Sequence, residues 1–409
     1  MKRLYQTLIC AFIFLIPSNL FYVLTESGAH VHGLRVDYLL PKFWAIDVVI
    51  WALIVLWFVE EKHNRFKTLK KWKKSLTRQP KELLALTSIL LTLFVVRQFM
   101  AEHALIALWT LLSWVKFGLL AAVLYQKRQL VDQAITFKVL AVTVLFQSLV
   151  ALWQCFTQQS LGGYLFLGET NLSDFAGLAK TSWGGIEQVL PYGTTAHPNV
   201  LGGFLSLSLL LLLPFCKTRK DPFVKVAIGL CMGIGLLALI LTQSMSAWFA
   251  LGLGLTLIFW KPLLIKLPSR FVVGGIFVVF LLSVWLPLPG DSLSISRRQY
   301  LNQSAIRMSI DHPFFGVGVQ NFTSQVEKYS PTKEVVRFVQ PAHNALILLL
   351  AETGLLGLIL GFILIKKLTT HTDYFALVPL LPIVFLDHYV LTIQSGMVLL
   401  LFYVIHNQE

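Results

Sequence analysis

The sequence predicts an all-α integral membrane protein with about twelve transmembrane helices, and three observations support this fold class. The 409 residues are 56% hydrophobic and only 13% charged, whereas soluble domains carry about 25% charged residues. Long apolar runs recur along the whole chain. The Lys and Arg residues behind the net charge of +14 cluster in short segments between these runs. This pattern is typical of a polytopic membrane protein and argues against a nucleic-acid-binding protein.

A helix that crosses a bilayer needs roughly 17–25 mainly apolar residues. We predict spans at residues 5–24, 41–59, 83–100, 104–125, 134–156, 198–216, 224–242, 246–260, 270–288, 343–365, 374–389 and 391–406. The first run resembles a signal peptide, but no small-residue cleavage site follows it, so we expect a retained helix. We therefore interpret residues 1–409 as a single polytopic membrane domain.

The basic residues predict how the chain is oriented. If the N-terminus lies in the cytoplasm, most of the 34 Lys and Arg residues fall on that side, including a dense run between residues 62 and 81. Positively charged loops are retained in the cytoplasm, so we expect both termini there. Two long loops then lie on the outer side, at residues 157–197 and 289–342.

The second outer loop contains a predicted amphipathic helix, residues 294–310, lying beside the membrane. One face combines apolar residues with an arginine at helical spacing: Arg298, Leu301, Ala305 and Met308. An arginine on an apolar face needs a partner, because an unpaired buried guanidinium is costly. A phosphate group or a carboxylate from a neighbouring helix would serve. Arg307 lies on the other face, where we expect it to pair with Asp311.

His343 opens the next span, at the outer mouth of the bundle. Its ordinary pKa near 6.5 suits proton abstraction at neutral pH, although a histidine simply hydrogen-bonded at the interface is an alternative. Glu352 follows nine residues later, half a turn around the helix, so the two cannot form a dyad on one face. We expect Glu352 to pair within the bundle, with Lys116 at a plausible depth.

Further polar groups are expected at the outer ends of the spans: Asp47, Arg97, Asp387, His388 and residues 194–199. The last segment begins a span, so it is equally suited to cap a helix N-terminus. The four cysteines fall in or beside apolar runs, and no pair has metal-ligand spacing. We interpret them as buried small hydrophobic residues.

Three motifs resemble those of the O-antigen ligases and polymerases, a family of bacterial polytopic glycan transferases. In chain order they are Gly193-Thr194-Thr195-Ala196-His197-Pro198-Asn199, then Arg298 with His312-Pro313 and Gly316-Val317-Gly318, then His343-Asn344 with Glu352, Gly354 and Gly357. The twelve-span layout and the long outer loop before the tenth span agree with the family, so the resemblance covers most of the chain.

One position departs from the family pattern. Family members often carry Thr-x-Ser-Arg between the seventh and eighth spans, and this chain has Thr242-Gln243-Ser244-Met245. Met245 therefore stands where an arginine that contacts phosphate is expected. Either another outer arginine (Arg97, Arg297 or Arg337) takes that role, or the donor is held differently.

The resemblance implies a glycan on a polyprenyl diphosphate as donor, transferred to an acceptor hydroxyl on the outer face of the bacterial cytoplasmic membrane. It implies no cofactor and no metal, and the sequence shows no outer cluster of carboxylates spaced for Mg²⁺ or Mn²⁺. Arg298 is expected to contact the diphosphate and His343 to act as base on the acceptor hydroxyl. Further candidates for substrate binding are Arg307, Arg297, Arg97, His197, Asn199, His312, Asn344 and Asp387.

The expected partners are this donor, membrane lipids and a lipid, glycan or protein acceptor, with no nucleic acid. Chain polymerisation and protein O-glycosylation share the donor chemistry, so the motifs do not separate them from ligation. A lipid-linked-glycan flippase or a secondary transporter is the alternative from another class. Transporters place coupling charges near the midplane and show repeated halves, whereas here the polar groups gather at the outer ends.

Overall fold

The computed structural model describes residues 1–61, 81–173, 177–183, 185–264, 292–368 and 374–407, with isolated positions between 275 and 283. Most of these residues are helical. The helices are α1 Lys2–Leu15, α2 Ala45–Glu61, α3 Lys81–Phe99, α4 Ala104–Lys127, α5 Gln133–Thr157, α6 Pro198–Thr218, α7 Pro222–Leu241, α8 Met245–Leu264, α9 Ser292–Asp311, α10 Phe322–Tyr329, α11 Ala345–Leu368, α12 Tyr374–Leu377, α13 Leu380–Leu386, α14 Tyr389–Thr392 and α15 Gln394–His406.

Five described segments are long and apolar enough to cross a membrane: Ala104–Leu130, Gln133–Thr157, Pro198–Thr218, Pro222–Leu241 and Ala345–Ile363. Shorter apolar helices cover Ser88–Phe99, Met245–Trp260 and Gln394–His406. The helical content and these segments confirm the class of an all-α membrane protein. The predicted span at 270–288 lies largely outside the described residues, so the count of twelve stays a prediction.

Several predicted spans are not continuous helices in the structure. The predicted run 5–24 is helical only over Lys2–Leu15, because Pro17 interrupts the helix and a short strand begins at Phe21. The predicted run 374–389 is divided into α12 and α13, and the chain is extended at Asp387 before α14 begins. Apolar composition alone does not reveal such breaks.

The described residues also form small antiparallel sheets, which the sequence did not predict. Strand β1 (Phe21–Val23) pairs with β4 (Lys42–Trp44), β2 (His30–Val31) pairs with β3 (Leu34–Arg35), and β5 (Lys180–Trp183) pairs with β6 (Ile186–Val189). In the last pair Thr181 lies opposite Gln188, so the two side chains share one face of the hairpin.

Helix α6 is the central helix of the described bundle. Its spanning stretch is 78% buried, against 22–50% for the other candidate spans. Small residues allow this close packing: a Cβ at Gly203 would meet the hydroxyl of Tyr389 at 1.9 Å, and one at Gly202 would meet Ser244 at 2.8 Å. The N-terminal end of α6 is therefore surrounded by α14 and by the turn between α7 and α8.

Helix α11 is interrupted at Gly354, where φ is 64° and ψ is −170°. The turn of residues 313–318 packs into this interruption and exchanges backbone hydrogen bonds with both halves of the helix. These bonds run from Val317 to Ala351, from Gly318 to Glu352, from Leu355 to Pro313 and from Leu356 to Phe314. The groups freed by the break are thus paired with this turn rather than left unsatisfied.

The buried partner of Lys116 is Asp47, and the expected pair with Glu352 was wrong. Lys116 Nζ lies 2.6 Å from Asp47 Oδ1, and Gln394 hydrogen-bonds to both groups. Glu352 instead accepts hydrogen bonds from the Tyr38 hydroxyl at 2.8 Å and from the backbone amide of Phe322 at 3.0 Å. The group of Lys116, Asp47 and Gln394 joins three helices, α2, α4 and α15. The hydrogen bond from Phe322 to Glu352 anchors α10.

The predicted amphipathic helix is present as α9, and its apolar residues Leu301, Ala305 and Met308 are fully buried. The expected pair between Arg307 and Asp311 does not form among the described residues. Arg307 Nη1 instead donates a hydrogen bond to the carbonyl of Tyr329 at 3.2 Å. The carbonyl of Tyr329 becomes the acceptor because α10 packs on α9. A prediction made from the spacing within one helix does not include contacts to another helix.

Candidate active site

The segment before α6 is held in a fixed conformation by two glutamines of α5. Gln154 Oε1 accepts hydrogen bonds from the amides of Tyr192 and Gly193, and Gln147 bonds both the amide and the hydroxyl of Thr194. Gly193 has φ 58°, and a Cβ there would lie 2.5 Å from Gln147 Oε1. The local sequence therefore positions the residues that follow, which begin α6.

His197 is the N-cap of α6, and its Nδ1 accepts a hydrogen bond from the amide of Asn199 at 3.1 Å. The capping interpretation of this segment is thus confirmed. Asn199 extends from the first turn of the helix and donates to Asp387 Oδ2 at 2.7 Å. The same segment therefore caps a helix and contributes to a polar cluster.

His343 stands just before α11, which Asn344 caps by accepting hydrogen bonds from the amides of Leu346 and Ile347. The Nδ1 atom of His343 lies 4.0 Å from Asp387 Oδ1, and its ring contacts the His388 ring edge to face at 5.0 Å. Asp387 and His388 come from the break between α13 and α14. The cluster thus joins the ends of three helical segments.

Arg298 of α9 lies near enough to this cluster for its charge to act on every titratable member: His197, His343, Asp387 and His388. Its side chain is half-buried. Arg298 and His343, the two residues expected to act in catalysis, therefore lie in one polar cluster. We call it the Arg–His cluster. Its members are Asn199, His197, Arg298, His343, Asp387 and His388.

Burial and positive neighbours determine the charge of the two histidines outside the spanning helices. Burial, followed by the fields of His388, Arg298 and His197, holds the pKa of His343 well below its usual 6.5. Burial and the Arg298 charge lower the pKa of His197 to about 4. Both imidazoles are therefore neutral at neutral pH. Among the described residues, the buried Nδ1 of His343 has no hydrogen-bond partner, so it is available to accept a proton.

Three members of the cluster have the atom types that bind a metal. The ligand atoms of His343, Asp387 and His388 all lie within 4.8 Å of one another. The Arg298 guanidinium acts on the same three groups, however. A divalent cation at this place would meet that positive charge, whereas an anion would be attracted to it. The donor set is suitable for a metal, and the electrostatics favour a negatively charged ligand.

Residues 230–362 match the family model Wzy_C, described as O-antigen ligase. The matched segment covers about a third of the chain. The match confirms the resemblance in the sequence motifs, and it supports a glycan-transferase-like activity for the chain. The matched segment contains Arg298 and His343, whereas His197 and Asp387 lie outside it. None of the curated proteins matches this chain.

Within the matched segment, two other candidate residues meet at α10 rather than in the Arg–His cluster. His312 lies 3.1 Å from the Tyr329 hydroxyl, and Arg307 bonds the carbonyl of the same residue. Their described contacts thus stabilise the packing of α9 on α10. A role of either residue in substrate binding stays a prediction.

The remaining candidates have identifiable local contacts. Arg97 Nη2 donates to the carbonyl of Gly316 at 3.3 Å, and its buried Nη1 has no partner among the described residues. Arg297 is exposed and lies 4.9 Å from the centre of the Phe338 ring. Met245 lines a separate cavity beside the turn between α7 and α8, away from the described contacts of the cluster.

Sequence reasoning named His388 only as a neighbour of Asp387 and omitted it from the candidate site. The structure gives it a ring contact with His343 and a hydrogen bond between its Nδ1 and Thr392 Oγ1 at 2.7 Å. Asp47 was expected near this place, but it is used in the buried pair with Lys116. An adjacent acid and imidazole within an apolar run was the available signal for His388.

Proposed function

We propose that the chain is a glycan transferase that moves an oligo- or polysaccharide from a polyprenyl diphosphate to an acceptor hydroxyl. Membership of residues 230–362 in the O-antigen ligase family supports the transferase class. The observation that carries the proposal is the presence of Arg298 and the neutral His343 in one buried cluster.

The reaction follows from the chemistry of these groups. The acceptor hydroxyl oxygen forms a bond to the anomeric carbon of the donor, and the bond from that carbon to the diphosphate oxygen breaks. The hydroxyl proton passes to the His343 imidazole. Negative charge develops on the departing polyprenyl diphosphate, and the Arg298 guanidinium stabilises it through its planar fork of donors. Asp387, beside His343, stabilises the imidazolium that forms.

The proposal includes a location. We place the chain in the cytoplasmic membrane of a bacterium with about twelve spans and both termini in the cytoplasm, following the distribution of basic residues. The Arg–His cluster then faces the outer side, where a lipid-linked glycan is accessible. In ligation the acceptor is a lipid-linked saccharide. In polymerisation it is a growing glycan, and in protein O-glycosylation it is a secreted protein.

The experiment uses purified protein in detergent with lipid-linked glycan from the host membranes. We expect the wild type to consume the polyprenyl-diphosphate glycan when acceptor is present. His343→Ala should lower the rate about 10²–10⁴-fold, and Arg298→Ala about 10²–10³-fold. Arg298→Lys keeps the charge but loses the fork, so it should recover only part of the rate.

The matched controls are His30→Ala and Arg35→Ala on the exposed β2–β3 hairpin, which should keep the wild-type rate. Full activity of His343→Ala would refute the base role. Movement of intact lipid-linked glycan across a sealed bilayer, without cleavage of the bond between the sugar and the diphosphate, would instead identify the chain as a flippase.

A further inference from the structure

A cavity of about 310 Å³ lies beside the turn between α7 and α8. Its walls come from the β5–β6 hairpin, the C-terminal ends of α5 and α7, and the first turn of α8. Its volume is at the lower end of the range for ligand pockets, about 300–1,000 Å³. Its lining includes Cys155, Thr181, Gln188, Gln243, Met245 and Trp248.

The lining combines polar residues with aromatic and apolar ones, and its described residues are all uncharged. Thr181 and Gln188 form a cross-strand pair on one wall. Trp248 lies on another wall, where its indole N–H is already used by the carbonyl of Leu239 at 3.1 Å. Gln243 adds an exposed amide at a backbone φ of 52°. The ring of the tryptophan is thus available for contact, and the amides supply donors and acceptors.

The walls are held in place by hydrogen bonds within the protein. Gln158 at the end of α5 exchanges hydrogen bonds with both backbone groups of Val189, at 2.7 and 3.3 Å. The amide of Leu190 donates to the carbonyl of Ala179 at 2.9 Å. A preformed pocket loses less conformational entropy on binding than a flexible loop.

The cavity and the Arg–His cluster are linked by one short segment of the chain, residues 191–197. Pro191 lines the cavity, and the next residue, Tyr192, contacts the His197 ring at 6.0 Å, edge to face. We therefore expect a glycan of more than one ring, with its reacting end at His343, to extend along this segment to the cavity.

We infer that this cavity binds an uncharged sugar ring of a glycan substrate. A hydrocarbon chain would leave the Thr181–Gln188 wall without hydrogen-bond partners, which is unfavourable. A phosphate or an acidic sugar would find no cationic side chain among the described residues of the lining. A neutral sugar has hydroxyls for the amides and an apolar face for the indole ring. This inference rests on the proposed function for the source of the sugar, which is the donor or the acceptor glycan.

The first test measures transfer kinetics with two donors, a polyprenyl diphosphate with one sugar and one with the full glycan. Gln188→Ala and Thr181→Val should raise KM for the long donor about threefold to tenfold, the loss of a neutral hydrogen bond. The kcat for both donors and the KM for the short donor should stay unchanged if the long donor occupies the cavity. The control is Glu187→Ala, on the other face of the same hairpin, where it pairs with Lys180.

The second test needs no catalytic turnover. A variant that keeps only Cys155, with Cys10→Ser, Cys216→Ser and Cys231→Ser, is alkylated by a maleimide with and without glycolipid extract from the host membranes. We expect the extract to slow alkylation at least threefold. If mild acid cleavage of the diphosphate-linked glycans and their removal abolish the protection, the sugar comes from the donor; retained protection assigns it to an acceptor glycolipid.

Two results with the extract would overturn the inference: no protection of Cys155, or protection that Gln188→Ala leaves unchanged. Failure of the proposed function has a different signature, because the wild type would then cleave neither donor while the alkylation experiment still reports on binding. Equal protection by a polyprenyl diphosphate that carries no sugar would assign the cavity to lipid and would also refute the inference.

Discussion

At the residue scale, the chemistry of the candidate site depends on one histidine whose protonation is controlled by its neighbours. His343 is largely buried, and positive or titratable groups on three other elements surround it: His197 before α6, Arg298 on α9 and His388 before α14. Asp387, at 4.0 Å, is the acidic group that faces it. Burial and the Arg298 charge both favour the neutral imidazole, which is the form that accepts a proton.

The pH dependence of transfer should reveal this lowered pKa. A base is active when it is unprotonated, so activity is present above its pKa and lost as the pH falls through it. Because the pKa of His343 is well below 6.5, kcat/KM should stay constant down to pH 6.5 and decline only in more acidic buffer. The measurement is initial rate against pH with wild-type protein. A decline centred at or above pH 6.5 would contradict the lowered pKa.

Removal of metal should not affect the reaction. If the Arg298 guanidinium stabilises the departing diphosphate, a divalent cation is not needed at the same position. Dialysis against EDTA should therefore leave the transfer rate within about twofold of the untreated protein, a difference well under one kcal/mol. Loss of activity on chelation, restored by a single added cation, would instead assign the ligand atoms of His343, Asp387 and His388 to a metal centre.

At the element scale, the break in α11 is what brings the turn of residues 313–318 into the helical bundle. Gly354 has a backbone conformation that side chains rarely adopt, and a Cβ there would lie 2.3 Å from the backbone carbon of Phe314. Just before it, Glu352 accepts hydrogen bonds from Tyr38 and from the amide of Phe322. Glu352 therefore connects α11 to the segment that contains Tyr38 and to α10.

Gly354→Ala should destabilise this arrangement. The unfavourable backbone conformation costs of order 1–3 kcal/mol, and the contact with the backbone of Phe314 adds to it. We expect a lower Tm in detergent and a loss of transfer activity. Gly361→Ala in the same helix is the matched control, because its nearest contact would be Leu349 at an ordinary 3.8 Å. Equal Tm values for the two variants would contradict the assigned role of Gly354.

At the scale of the whole molecule, a buried ionic group connects helices that are distant in sequence. Asp47 of α2, Lys116 of α4 and Gln394 of α15 bond one another, and Asp47 also accepts from the amide of Trp44 at 3.0 Å. Every contact is short, so the charges are well compensated. Such a group specifies which helices lie together, although ion pairs of this kind add little net stability.

Replacing only Lys116 of the Asp47–Lys116 pair should lower the free energy of unfolding more than replacing both residues. Lys116→Met leaves the Asp47 carboxylate buried without its cation, and we expect a loss of about 3–5 kcal/mol in the free energy of unfolding. The double variant Asp47→Leu, Lys116→Met should recover most of that loss. Unfolding in mixed detergent measures all three proteins. A double variant less stable than Lys116→Met would show that the pair stabilises the bundle outright.

The sequence by itself determined the membrane class, the family resemblance and most of the residues of the Arg–His cluster. The length of the apolar runs and the distribution of charge determine the membrane class, because a bilayer requires both of a protein that spans it. The motifs predict the family resemblance and the residues of the cluster, because they contain charged and imidazole side chains, which are rare within an apolar chain. His343 and Arg298 are therefore identifiable from the order and spacing of the motifs alone.

Only the tertiary structure decided which polar groups meet. Lys116 pairs with Asp47 and not with Glu352, Arg307 bonds Tyr329 and not Asp311, and these choices depend on which helices become neighbours. The helix breaks at Gly354 and Asp387 were also decided by packing, since each lies within an apolar run that favours a continuous helix. Periodicity describes one helix at a time, whereas partners come from the contacts between helices.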